Sequence, residues 1–517
     1  MMELRGGRGR VSAAAALAVA LVAAALPIAG CGGGSSSADA KASLTGSGYS
    51  NVDLANTRDA KGSIKSANAG ELQTAWTAPI PGESSFGSYA STPVVSKGVV
   101  YSQDLASNVQ ALEESSGEVL WTKSFELPNF GPNGLAVQEG KVFGATPGAV
   151  FALDEKTGKQ LWSTTLVRND VEGINMAPGF DNDIVYASTV PTNTESIYEP
   201  GGVGILWALD AKTGKKLWHF DTVPKSLWGH PDVNSGGGLW YPPTFDGKGS
   251  MYVGVGNPAP FPGSEGKPWG SSRPGPNLYT DSLVKLDAKT GKLDWYYQFT
   301  PHDLYDWDLQ DPPILVHSGG RELLLAAGKV GFVVAVDAKS GKPVWKSSVG
   351  RHNGHDEDGL IAMRGETSKL HPPFEIYPGT LGGVIAPMST DGTRVFVPVV
   401  NHPVTVASGE QIEETSPVDS GEIVALNVKD GSLAWKHEFP NAPAFGATTV
   451  SNDLVFATTY DGKVYGYDTK TGRQVWQEQL PAGTNAGVTV DGETLIAPAG
   501  VAAEGQTPAL VAFRLGG

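Results

Sequence analysis

One pattern recurs along this chain and limits what it can become: a small apolar pair, Asp, two residues, Thr or Ser, Gly, three residues, Trp. It reads Ala152-Leu153-Asp154 to Thr157-Gly158 to Trp162, then Ala208-Leu209-Asp210 to Gly214 to Trp218, then Leu286-Asp287 to Gly291 to Trp295. Further copies end at Trp345, Trp435 and Trp476, and a weaker one, Ala111-Leu112-Glu113 to Gly117, ends at Trp121. The pattern describes a β-hairpin: Asp caps its own turn and Gly supplies the positive φ of a tight bend. The Trp then opens an outer strand and packs between neighbouring units. Short apolar runs upstream, such as Val142-Phe143 and Val455-Phe456-Ala457, are expected inner strands. The turns also account for the glycine content, 67 of 517 residues, nearly twice the usual share of about 7%.

An eighth Trp, Trp76, has an outer strand over 72–79 but no strands before it. The C-terminus has the converse: 494–498 and 509–515 read as strands with no outer strand after them. The two ends are therefore expected to build one unit together and close a ring. Four-stranded repeats of this length are a propeller signature. The expected fold is all-β: an eight-bladed β-propeller with four-stranded antiparallel blades, closed by N- and C-terminal strands in one blade, over residues 49–517. Eight Trp are then structural, which leaves Trp207, Trp228, Trp240, Trp269 and Trp307. The intervals Trp218 to Trp295 and Trp345 to Trp435 exceed one blade, so these carry the long loops where function concentrates.

Residues 1–30 read as an export signal: Arg5, Arg8 and Arg10, then an apolar run from Val11 to Leu26. The segment ends in Leu-Pro-Ile-Ala-Gly-Cys, which is similar to a bacterial lipobox with Cys31 as the lipidated residue. Multiple acyl chains make a stable anchor, and the Gly- and Ser-rich stretch over 31–48 suits a flexible tether. The working domain is thus expected outside the cytoplasm, lipid-anchored at the outer face of the membrane or in the periplasm. A net charge of −16 argues against a nucleic-acid partner. A single cysteine excludes an intrachain disulfide, a Cys-rich zinc site and a C-x-x-C-H haem site.

Residues 195–332 are the richest in chemistry. Gly256-Asn257-Pro258-Ala259-Pro260 follows an expected strand, Arg273-Pro274-Gly275 comes next, and then Thr300-Pro301-His302-Asp303-Leu304-Tyr305-Asp306-Trp307-Asp308. Three carboxylates within six residues, beside aromatics, form either a solvated acidic turn or oxygen ligands for a hard cation. His352, His355, Asp356 and Asp358 are weaker metal candidates, a polar loop being the simpler reading. Phe261, Trp269 and Tyr279 are candidates to cap a substrate pocket or simply to pack at a rim.

These strings, above all Gly-Asn-Pro-Ala-Pro, Arg-Pro-Gly and Tyr-Gln-Phe-Thr-Pro-His-Asp-x-x-Asp, resemble the PQQ-dependent (quinoprotein) alcohol dehydrogenases. The resemblance covers most of the chain after residue 50. It implies PQQ, with Ca²⁺ or a lanthanide, as cofactors. It places Glu199, Asn257 and Asp306 on the metal, with Asp306 also catalytic, and Asp308 where the lanthanide-using branch has an extra carboxylate. It places Ser196 against the cofactor, Trp240 beneath the quinone and Lys329 on the quinone oxygens. The chemistry explains these types. A metal polarises the quinone carbonyl, a carboxylate takes the alcohol proton, a fixed lysine stabilises developing negative charge and an indole supports a planar ring.

The chain departs from the family elsewhere. The adjacent cysteine pair is absent. Asn133 stands at the cofactor arginine and Asn175 at a cofactor threonine. Ala90 stands at a glutamate, and Ile385-Ala386 at an Asn-Trp pair. The metal half is kept while the shell for the cofactor's carboxylates is changed. The expected partners are an alcohol or aldehyde and an external electron acceptor such as a cytochrome. The competing expectation is a non-catalytic propeller lipoprotein that binds proteins, similar to an outer-membrane assembly scaffold.

Overall fold

The computed structural model describes residues 48–192, 198–414 and 420–516. The export signal and Cys31 lie outside these residues, as does Ser196. The described chain is all-β, with one short α-helix, Asp358–Met363. Eight four-stranded antiparallel sheets are present among the described residues. Seven are consecutive in sequence; the first of these runs through Val94–Ser96, Val99–Gln103, Val109–Glu113 and Val119–Lys123. The eighth pairs Leu72–Pro79 with Ala509–Leu515, followed by Thr494–Ala499 and Thr489–Asp491. The ends of the chain therefore do share one sheet.

The repeat folds as its chemistry dictates. Asp154 Oδ1 accepts from the Thr157 N–H at 2.9 Å and its hydroxyl at 2.7 Å, while Gly158 sits at φ 67°. Asp210, Asp287, Asp337 and Asp468 cap their turns in the same way. Each indole then lies across the turn glycine of the next sheet: Trp76 on Gly117, Trp121 on Gly158, Trp162 on Gly214, and so on to Trp435 on Gly472. Most of the indole N–H groups also donate to a backbone carbonyl of that neighbour, as Trp345 does to Val428 at 3.0 Å. Trp476 meets the sheet that joins the two termini, where no such turn exists, and packs edge-on against Phe513 instead, 5.5 Å between centroids.

The loops ahead of the first strands meet at a common space. Ala90, Asn133, Ala177, Tyr241, Ala386 and Asn485, each from a loop ahead of a different sheet, line a small cavity of about 20 Å³. Residues 48–63 run past the same strand ends, a path with no signal in the sequence pattern. Backbone bonds join Gly48 to Val137, Leu54 to Phe245, Ala55 to Leu315, Thr57 to Thr390, Arg58 to Val450 and Ser63 to Gly492. Arg58 is buried and has no carboxylate partner among the described residues; it donates to Ser50, Asn51, Thr92, Thr448, Thr449 and Val488. Thus a single strap ties the starts of six sheets together.

The long intervals hold the extra structure. Ser235–Gly236 pairs with Pro258–Ala259, and Phe374–Ile376 with Val404–Ser408, while Glu172–Gly173 pairs with Val190–Pro191 in the shorter interval before Trp218.

A Cβ at Gly431 would sit 2.5 Å from Trp345 Cε3, and this glycine has φ 71°. Gly431→Ala is therefore expected to cost about 2 kcal/mol or more, as is Trp345→Ala. Because both remove one contact, the double variant should cost less than the sum. Urea unfolding of the three variants checks this.

Candidate active site

The segment between Leu293–Gln298 and Ile314–Ser318 carries Asp306 and Asp308, and Lys329 follows Arg321–Ala327. All three are buried. Lys329 Nζ lies 2.7 Å from Asp306 Oδ2 and 2.7 Å from Asp308 Oδ2. The other Asp308 oxygen accepts from the Trp240 indole N–H at 3.2 Å and the Asn257 backbone N–H at 2.9 Å. Five residues singled out from the sequence thus form one hydrogen-bonded cluster. Gly256 makes this approach possible, since a Cβ there would come within 2.4 Å of Asp308 Oδ1.

The cluster is rich in buried charge. Asp281 and Asp303 are fully buried nearby, so four carboxylates face two buried cations, Lys329 and Arg273. Burial pushes Asp306 and Asp281 well above the usual carboxylate range, with neighbouring aspartates adding to the rise. Burial alone would lower the Lys329 value, but Asp306 and Asp308 raise it, and the ammonium stays charged. Among the described residues neither Asp281 oxygen has a hydrogen-bond partner, while Asp306 meets Lys329 and the Tyr198 hydroxyl. Unpaired hard oxygens with an excess of acid fit a hard cation.

The remaining expected residues are placed less tightly. Glu199 is half-buried and its backbone carbonyl accepts from Gly202. Its neighbour Tyr198 has its hydroxyl against Asp306 and its ring edge-on to Phe261, 5.4 Å away. Among the described residues no three His, Cys, Asp or Glu side chains group as metal ligands, so an oxygen site at Asp306 would draw on the Asn257 amide as well. Asn133 donates to the Asp104 carbonyl at 2.8 Å, and its own N–H binds the Asn175 carbonyl. Asn175 borders a cavity of about 890 Å³, together with Leu127, Asn129, Phe130 and Glu172, and its side-chain NH₂ has no hydrogen-bond partner among the described residues.

The weaker candidates resolve into packing. His352 pairs with Asp356, while His355 and Tyr305 share Asp358. Trp269 stacks with Phe374, and Tyr279 belongs to a different cluster with Phe220 and Tyr296. Tyr198, Arg273, Asp303 and Asp281 received no role from the sequence. Arg273 and Asp303 stand inside the strings already singled out, which is the signal that pointed to them.

The family described as "Glucose/ethanol/alcohol dehydrogenase, beta-propeller domain" matches residues 171–351, which hold the whole cluster. The quinohemoprotein alcohol dehydrogenase of Comamonas testosteroni is 29% identical over 84% of this chain and 68% of its own length. The chain is similar to the PQQ-dependent alcohol dehydrogenases. A second, the quinohemoprotein alcohol dehydrogenase ADH IIB of Pseudomonas putida, is 27% identical over 76% of this chain and 64% of its own length. The chain spans about two thirds of these relatives. The crystal structure of the Comamonas enzyme superposes with a TM-score of 0.76 at 26% identity, over 90% of this chain and 80% of that one, so the β-propeller fold is shared. The family described as "Outer membrane protein assembly factor BamB" matches residues 331–516, the part made mainly of plain repeats.

Burial pushes the Asp303 carboxyl up to about 6, against two N–H bonds and Arg273. Its unfolded value is about 3.9. The folded chain then holds this proton more tightly, so the group's contribution is full below about pH 4 and is lost as pH rises through about 6. In metal-free protein, Asp303→Asn should therefore flatten the fall in unfolding free energy over this range, measured by urea unfolding at about pH 4 and about pH 6.

Proposed function

We propose that this chain is a PQQ- and metal-dependent dehydrogenase that oxidises an alcohol or aldehyde outside the cytoplasm and passes electrons to a separate carrier such as a cytochrome. The observation that carries this reading is the buried cluster in which Lys329 bridges Asp306 and Asp308 while Asp308 holds Trp240 and Asn257. A scaffold has no use for such a cluster, because unneutralised buried carboxylates cost stability. The BamB match supports the repeat and says nothing of residues 281–308.

PQQ, when bound, supplies a two-electron acceptor. Asp306, Asn257 and Glu199, with Asp308 beside them, would hold Ca²⁺ or a lanthanide. Asp306 would take the hydroxyl proton of the substrate as general base. Lys329 is fixed on two carboxylates and presents a permanent positive charge without reorganisation. Trp240, tethered through its N–H, offers its ring to a planar group. Asn133 and Asn175 would bring amide contacts to the cofactor in place of charged ones, and Ser196 completes its shell.

In this reading the eight sheets are the blades of a closed propeller over residues 49–517. Residues 1–30 are the export signal, and Cys31 with the tether to residue 48 anchors the enzyme by lipid at the outer face of the membrane or in the periplasm.

The domain from residue 49, reconstituted with PQQ and Ca²⁺ or La³⁺, is expected to reduce a dye with primary alcohols. Asp306→Ala should lower turnover by about 10²–10⁴-fold, and Lys329→Ala should lower it while Trp435→Phe does not. No PQQ-dependent turnover with either ion would sink this reading in favour of the scaffold.

A further inference from the structure

Asp306 has an unusual backbone. Its φ is 62°, in the left-handed region disfavoured for residues with a Cβ. His302, four residues earlier, is also left-handed, at φ 58°. The Asp306 side chain meets Lys329 through Oδ2 and the Tyr198 hydroxyl, and neither contact reaches its own backbone.

The cause lies in Asp303. Its carboxylate accepts the Tyr305 N–H on Oδ1 at 2.9 Å and the Trp307 N–H on Oδ2 at 2.8 Å. These are the N–H groups one residue before and one residue after Asp306. Two N–H groups converging on one anion across an intervening left-handed residue form a backbone nest. In an extended segment the same two groups would not share a single carboxylate.

Asp303 is held in turn. Its carbonyl accepts from Arg273 Nη2 at 2.5 Å. Arg273 is fully buried, and its other donors reach the Pro260 carbonyl at 3.0 and 3.2 Å and Asn277 Oδ1 at 2.7 Å. Asn277 donates back to the Arg273 carbonyl at 2.6 Å. His302 adds contacts to the carbonyls of Gly275 and Trp269, at 2.8 and 3.1 Å. Hydrogen bonds thus tie the loop over 260–277 to the segment 302–307.

We propose that Asp303 and Arg273 are positioning residues for Asp306. Asp303 imposes the left-handed backbone that turns the Asp306 carboxylate onto Lys329, and Arg273 fixes Asp303 to the neighbouring loop. Neither touches the reacting atoms. The proposal rests on the dehydrogenase reading for its effect on turnover, but its structural part stands independently of that reading.

The test uses Asp303→Asn and Arg273→Lys in the reconstituted protein, together with crystal structures of both variants. An asparagine keeps one acceptor oxygen, so one of the two N–H bonds is lost. A lysine cannot reach Pro260, Asn277 and Asp303 together. The expected structural result is that Asp306 leaves the left-handed region and its distance to Lys329 opens beyond about 4 Å. The expected kinetic result is a fall in kcat of about 10²-fold, as a misplacement near 1 Å produces, with KM for the alcohol unchanged. A general loss of packing would instead lower the unfolding midpoint and raise KM with the fall in kcat. Unchanged φ at residue 306 and an intact Asp306–Lys329 pair in Asp303→Asn would overturn the proposal, as would wild-type kcat in both variants. If the wild-type protein shows no PQQ-dependent turnover, the dehydrogenase reading fails while the crystal structures still decide this one.

Discussion

The indole laid across a glycine turn of the next sheet is the contact on which the rest of this molecule depends. It brings three requirements together: a residue free to adopt positive φ, no Cβ in the path of the ring, and a backbone carbonyl in reach of the indole N–H. At Gly158, a Cβ would meet Trp121 at 2.5 Å, and Trp121 donates to Glu155 at 3.1 Å. Each such contact fixes one sheet relative to its neighbour, and the small twist of each sheet sets the direction in which the next is added. The starts of the first strands are thereby brought to one place, and the strap over 48–63 holds them there. Arg58 contributes a fixed set of donors to carbonyl, amide and hydroxyl oxygens, which offsets the cost of its own burial.

Around this frame the long interval after Trp218 and the loops between Trp295 and Trp345 build the site, and the cost of that site is electrostatic. Asp281, Asp303, Asp306 and Asp308 are removed from water with only Lys329 and Arg273 to compensate. Such an arrangement lowers stability unless something neutralises it, and groups held far from their ordinary proton affinity concentrate where chemistry is done. The two cations play different parts. Lys329 spans two carboxylates directly, whereas Arg273 binds backbone and amide oxygens and acts on the acids through space. A planar guanidinium suits the second task and a compact ammonium the first.

Much of the fold was legible because the repeat is local. Asp, Thr and Gly at fixed spacing make the same turn wherever they occur, and Trp76 without preceding strands required partners from the C-terminus, which Ala509–Leu515 supplies. The cluster of Asp306, Asp308, Lys329, Trp240 and Asn257 was legible through family strings and not through spacing, since Trp240 and Asp308 lie 68 residues apart. The strap over 48–63 was not legible, because its bonds are made by backbone atoms that carry no residue signature. Arg273 and Asp303 were seen as letters of a string without a role, because their partners are carbonyls and N–H groups whose positions only the folded loops define.

The sequence by itself determined the repeat, the pairing of its two ends and the residue types of the site, because turn chemistry and aromatic packing are properties of short segments. Tertiary structure alone decided which oxygens remain unpaired, which carboxylates share a lysine and why Asp306 stands in a left-handed backbone. Those outcomes depend on burial and on distances between segments far apart in the chain, where a shift of an ångström changes the partner, and no local pattern records it.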